Sequence, residues 1–207
     1  NTNVTGDEDQ GVGQSNISQT FTNLTNTAQT VVYTVTPTSG AAGNCVGSTF
    51  TVTVTVSPRA TIANKTVSSC SGTGFTVTPS NGGGDIVPSG TTYAWSALPV
   101  VTGGLTGGAT ASLQSSINGT LTNPTNTAQT ATYTVTPTSG SCTGPTFTVV
   151  ATINPRPVVP NQTATICSGT AFTTSPTNNA PTTIIPSGTT YTWTVAPNAD
   201  VTGETDQ

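Results

Sequence analysis

The chain has 207 residues with seven acids, three bases and no histidine, so only 5% are charged, against about 25% in an ordinary soluble domain. That balance leaves no basic footprint for phosphates, which excludes nucleic-acid binding, and removes both the imidazole base and the commonest zinc ligand. Threonine fills 51 positions beside 22 glycines and 15 prolines, and no apolar run is long enough to span a membrane.

Residues 1–57 open with VTGDEDQ at 4–10 and then carry two alternating segments, TNTAQTVVYTVTPTSG at 25–40 and STFTVTVTVSPR at 48–59. Threonine alternating with Val, Phe or Tyr is the period-2 signal of a half-buried strand, too regular for a disordered polar tract. Residues 58–154 give strand candidates at 61–67, 74–79, 90–97, 99–103, 114–122, 131–137 and 147–153, separated by Pro, Gly, Asn and Ser clusters. In 131–137, Ala131, Tyr133, Val135 and Pro137 share one face and Thr132, Thr134 and Thr136 the other. Phe147, Val149, Ala151 and Ile153 repeat the pattern in 147–153. Residues 155–207 then bring ICSGTAFTTSP at 166–176, IPSGTTYTW at 185–193 and VTGETDQ at 201–207. No window of ten or more residues has helical periodicity.

These segments are copies of one another. TNTAQTVVYTVTPTSG returns as TNTAQTATYTVTPTSG at 125–140, STFTVTVTVSPR as PTFTVVATINPR at 145–156, and VPSGTTYAW at 87–95 as IPSGTTYTW. The offsets of 97 to 100 residues define a repeat of about 97. Residues 1–57 match the second half of a repeat, 58–154 a whole one and 155–207 a first half, so the chain starts and stops at the same point in the cycle. Two expectations follow: two periods of a longer array, or a unit that completes its half-domains with neighbouring copies. The fold expected is all-β, tandem immunoglobulin-like antiparallel sandwiches with about seven strands per repeat. A polar face of hydroxyls has little to titrate or screen, which suits exposure to changing external conditions.

The pattern CSGTxFxVTP, PSGTTYxW and TNPTNTAQTATYTVTPTSGSCTGPTFTV resembles the tandem PKD-like (immunoglobulin-like) repeats of Bacteroidota, found in large surface proteins of the type IX export system and in adhesins associated with gliding. The resemblance covers the whole chain. It implies a β-sandwich building block, a surface location and an extended array, and no catalytic residues.

Cys45, Cys70, Cys142 and Cys167 fall at two repeat positions, the first and third in the turn between the last two strands, the others in the turn between the first two. Such regularity reads as disulfides. In sandwiches strung head to tail the two positions lie at opposite ends, so pairing across domain junctions is favoured: Cys70 of one copy with Cys45 of the following one, and Cys167 of one with Cys142 of another. The alternative is Cys70–Cys142 within a repeat. Asp7, Glu8, Asp9, Glu204 and Asp206 cluster in the VTG loops and read either as solvated acids or as a calcium site; no other cofactor is expected. Phe75, Tyr93, Trp95, Tyr133, Phe147, Phe172, Tyr191 and Trp193 are assigned to the core, against a sugar-stacking role for the Tyr–Trp pairs. Arg59 and Arg156 follow the prolines that end a repeat and are expected to bind a carbonyl or neighbouring loop at the junction.

The reading is a structural repeat, a non-enzymatic segment of a long extracellular filament or stalk in a bacterial surface adhesin. Its partners are neighbouring repeats and a surface ligand at a distal tip. The rival is a glycan- or ice-binding sandwich, which an exposed Trp95 or a flat threonine array would favour.

Overall fold

The computed structural model describes residues 2–40, 43–96, 100–196 and 198–203. Among them every regular element is a strand. The first four are β1 (Val4–Thr5), β2 (Thr22–Asn23), β3 (Gln29–Val35) and β4 (Phe50–Val56). Then follow β5 (Lys65–Cys70), β6 (Gly74–Val77), β7 (Thr92–Trp95), β8 (Val100–Val101) and β9 (Thr106–Gly107). The last are β10 (Ala111–Gln114), β11 (Ile117–Thr122), β12 (Gln129–Ser139), β13 (Cys142–Thr143) and β14 (Phe147–Asn154).

Strands β5 to β14 build one immunoglobulin-like β-sandwich. Its larger sheet has the order β10-β7-β12-β14-β5, with β8 and β13 also on β12, and its smaller sheet is β6-β11-β9. Alternation decides which side chains meet between them. Ala131, Tyr133 and Val135 of β12 and Phe147, Val149, Ala151 and Ile153 of β14 are buried, and they join Phe75, Ile117 and Leu121 of the smaller sheet in one core. Each large apolar side chain buried there contributes about 1.5–3 kcal/mol. Two ring pairs bind the core, Phe75–Tyr133 at 5.8 Å and Tyr93–Phe147 edge-on at 6.2 Å. Gly119 of β11 makes room for the first: a Cβ there would stand 3.1 Å from the Phe75 ring.

Three details depart from the sequence reading. The candidate at 61–67 begins later, at Lys65, and Thr61 makes only a single bridge to Ile86. The candidate at 114–122 is two strands in different sheets, because the chain crosses between them at Ser115–Ser116. A register shift on β10, with Leu113 at φ 56°, turns the strand just before that crossing. Finally, the sandwich is not wholly antiparallel. Strand β5 pairs with β14 in parallel, from Lys65↔Val149 to Cys70↔Asn154, because both run toward the end where the chain leaves.

The flanking segments repeat parts of this plan. Strands β3 and β4 form the hairpin equivalent to β12–β14, and β1–β2 a short pair beside it. Residues 159–196 hold no named strand among those described, and two bridges, Val158↔Ile184 and Asn179↔Thr183, echo Thr61↔Ile86 and Gly82↔Asp85. Phe172, Tyr191 and Trp193 are therefore not core residues as expected; they are exposed. Residues 155–207 contain no counterpart of β11, β12 or β14, the strands that cover the equivalent rings in the central sandwich.

Candidate functional site

What the fold offers for function lies at its two ends, where the chain enters and leaves. At the exit end Asn123 is nine-tenths or more buried and sits at the centre of a hydrogen-bond hub. Its amide donates to the carbonyls of Thr127 and Ile153, both at 2.8 Å, while its Oδ1 accepts from the Thr125 backbone at 2.9 Å and the Thr125 hydroxyl at 2.8 Å. Its own N–H donates to Ser71 Oγ at 2.9 Å, and Ser71 N–H donates to the carbonyl of Asn154. The hub ties the loop after β11 and the turn after β5 to the last strand. Asn23 repeats it, donating to Thr27 and Val56 at 2.8 Å and accepting from Thr25. Sequence reading found the TNTAQT repeat without seeing the hub; the signal was an Asn two residues before a Thr in both copies, an Asx turn. Arg156 reaches back from the linker, its Nη2 donating to Thr73 Oγ1 at 3.1 Å.

At the opposite end the incoming segment is fixed by close approach and one ion pair. Gly144 lies against the backbone of Ala60, and its N–H donates to Pro137 at 2.8 Å. Asp85, buried, accepts the Ala63 N–H at 2.8 Å and pairs with Lys65. Burial raises the Asp85 pKa, but the hydrogen bonds from Lys65 and Ala63 and the lysine charge outweigh it, and the carboxyl stays below its ordinary range. The third copy has Gln162 and Thr183 at these positions, so the pair belongs to the central repeat.

The PKD-like domain family model matches residues 1–60, 67–157 and 164–207. The chain belongs to the PKD-like domain family. A comparison with the curated proteins finds no match. PKD-like domains are immunoglobulin-like sandwiches, generally non-catalytic and typically found in extracellular or surface proteins.

Within this PKD-like chain all four cysteines are free thiols, Cys142 half-buried and the others exposed. Cys70 is level with the last residue of β14, while Cys142 lies in the hairpin before its first. The eight residues of β14 put about 25 Å between those levels, well beyond the Cα separation of about 7 Å that a disulfide spans. Asp7, Glu8 and Asp9 lie near the surface and Glu204 and Asp206 fall outside the described residues; no cluster of three metal-ligating side chains occurs among those described. No helix long and apolar enough to cross a membrane occurs among them either. Trp95 and Tyr93 face inward, the indole N–H donating to Ala109 at 3.1 Å. The groove beside Trp95, about 310 Å³, is open and shallow and holds no charged side chain.

Proposed function

We propose that this PKD-like segment is a structural unit of a long extracellular filament or stalk in a bacterial surface adhesin, of the kind carried by type IX export. The parallel pairing of β5 with β14 carries this reading. The first and last strands of the sandwich run side by side in one direction, so the chain enters at one end and leaves at the other. A series of such units extends and does not fold back. Prolines at 155, 157 and 160 stiffen the link that follows. The buried Trp95 weighs against the rival glycan-binding platform in the central repeat.

Electron microscopy of the native material, or of tandem copies, tests the reading. It expects rods with an axial repeat of about 40 Å per domain, the length of an eight-residue strand with its loops. Compact particles whose length does not grow with repeat number would overturn it.

A further inference from the structure

The chain holds three basic side chains, Arg59, Lys65 and Arg156, and the bond after each of them is protected in a different way. Lys65–Thr66 lies within β5, where both residues are paired to β14 as Lys65↔Val149 and Thr66↔Val150, and the lysine amine is held by Asp85. Arg156 is followed by Pro157, which has no backbone N–H and makes the bond a poor substrate for a trypsin-class protease. Arg59 is exposed and is followed by Ala60, so its bond is chemically ordinary. Packing alone closes it. Ala60 is fully buried in the core and Ile62 is buried beside it, while Thr61 between them exchanges two hydrogen bonds with Ile86, at 2.9 and 2.8 Å. The carbonyl of Ala60 lies against Gly144, and the Ala63 N–H donates to Asp85 at 2.8 Å.

We propose that Arg59–Ala60 is a latent cleavage site for an arginine-specific, trypsin-class protease, closed while residues 60–63 lie on the sandwich and opened when that segment lifts. Such an enzyme takes its substrate as an extended strand whose backbone, on both sides of the cut bond, is free of other partners. Arg59 supplies the charge that its specificity pocket reads. Hydrolysis adds water across the Arg59–Ala60 bond and leaves a carboxylate on Arg59 and an amino group on Ala60. Opening breaks the Thr61–Ile86 bridge and the Ala63–Asp85 bond but leaves the six paired positions of β5 and β14 in place. It is a local event, of lower cost than unfolding the sandwich. The bond lies where one repeat passes into the next, so a cut there severs the chain at a junction and spares the sandwich. The inference stands on the packing of the entry segment, whether or not the array serves as a stalk.

The full 207-residue chain, incubated with trypsin at neutral pH and followed by mass spectrometry, provides the test. The expected first cut is slow and gives residues 1–59 and 60–207, with Lys65–Thr66 intact. Arg59→Gln should remove it. Gly144→Ala should speed it by about tenfold or more, because cleavage follows how often the segment is open. Should Gly144→Ala unfold the sandwich, Lys65–Thr66 is cut as well, and the unsubstituted chain in urea below its unfolding midpoint decides. A cut confined to Arg59–Ala60 there supports the proposal, and joint loss of both bonds overturns it. A folded Gly144→Ala chain that is cut no faster also overturns it. So does cleavage of the native chain as fast as that of a peptide of residues 56–63, which would show an open site, or a first cut at Lys65–Thr66, which would show that β5 yields before the entry segment.

Discussion

Asn123 donates its side-chain amide to the carbonyl of Ile153 at 2.8 Å, and Asn23 makes the same bond to Val56 at the same distance. The same polar side chain thus ties the Asx turn to the last strand in both copies that contain this position. Asn123→Ala would leave the buried carbonyl of Ile153 without this donor and free the Thr125 turn. The expected loss is about 2–4 kcal/mol, from one unsatisfied buried group plus the other bonds. It would be read as a lower denaturant midpoint at unchanged m-value.

Gly144 has a different task. A Cβ at this position would overlap the carbonyl oxygen of Ala60, which is backbone and cannot swing aside. Gly144→Ala should therefore push the incoming segment off the sandwich, at about 1–3 kcal/mol. Faster amide exchange at Thr61 and Ile86, whose mutual bridge lies beside the site, would locate the damage. Gly47→Ala, whose Cβ would stand 3.0 Å from the Pro37 ring and meet backbone only at an ordinary 3.5 Å from the Pro37 oxygen, should cost less.

The pH response follows from few groups. The folded pKa of Asp85 is depressed, so its contribution is present above the unfolded value near 3.8 and is lost as pH falls through the folded one. Tyr93 and Tyr133 are shifted the other way, both by burial and Tyr93 also by the Asp85 charge. Their contribution is present below the unfolded value of 10 and lost as pH rises through the folded ones. Melting temperature should be flat between about pH 5 and 9 and fall on either side. Lys65→Met should cost about 1–2 kcal/mol of stability within that pH range and lower the melting temperature there, because it strands a buried carboxylate whose partner was partly solvated. A constant melting temperature down to pH 2 would contradict this account.

Much of the sandwich is legible in the sequence because β12 and β14 must place one set of side chains inward and the other outward. The step between sheets at Ser115–Ser116 is not legible, since neither Pro nor Gly marks it. Nor is the parallel partner of β14, which depends on which way the first strand runs. Residues 166–176 and 190–193 teach a further limit. They carry nearly the alternation of β6 and β7 yet form no named strand, because a strand exists only with a partner to complete its ladder. Burial of Phe172, Tyr191 and Trp193 was read from pattern alone, and pattern does not supply the covering surface.

The cysteines offer a chemical test of the proposed head-to-tail stacking of repeats. In assembled material Cys70 at the exit end of a central sandwich would face Cys45 of the following copy, and Cys167 would face Cys142 of that copy. Oxidised glutathione should convert each thiol pair to a disulfide with release of two reduced glutathiones. Non-reducing peptide mapping should then recover Cys70–Cys45 and Cys167–Cys142 between chains. Recovery of Cys70–Cys142 alone would contradict the head-to-tail arrangement.

The side-by-side run of β5 and β14 also decides how a tug on the chain is felt. Tension drawn between the two ends would slide these strands along each other, so the six paired positions resist together and do not open one by one. A unit built this way yields abruptly at high load and holds its length below it. If the proposed filament bears load, the seam between first and last strand is the place where its breaking strength would be set.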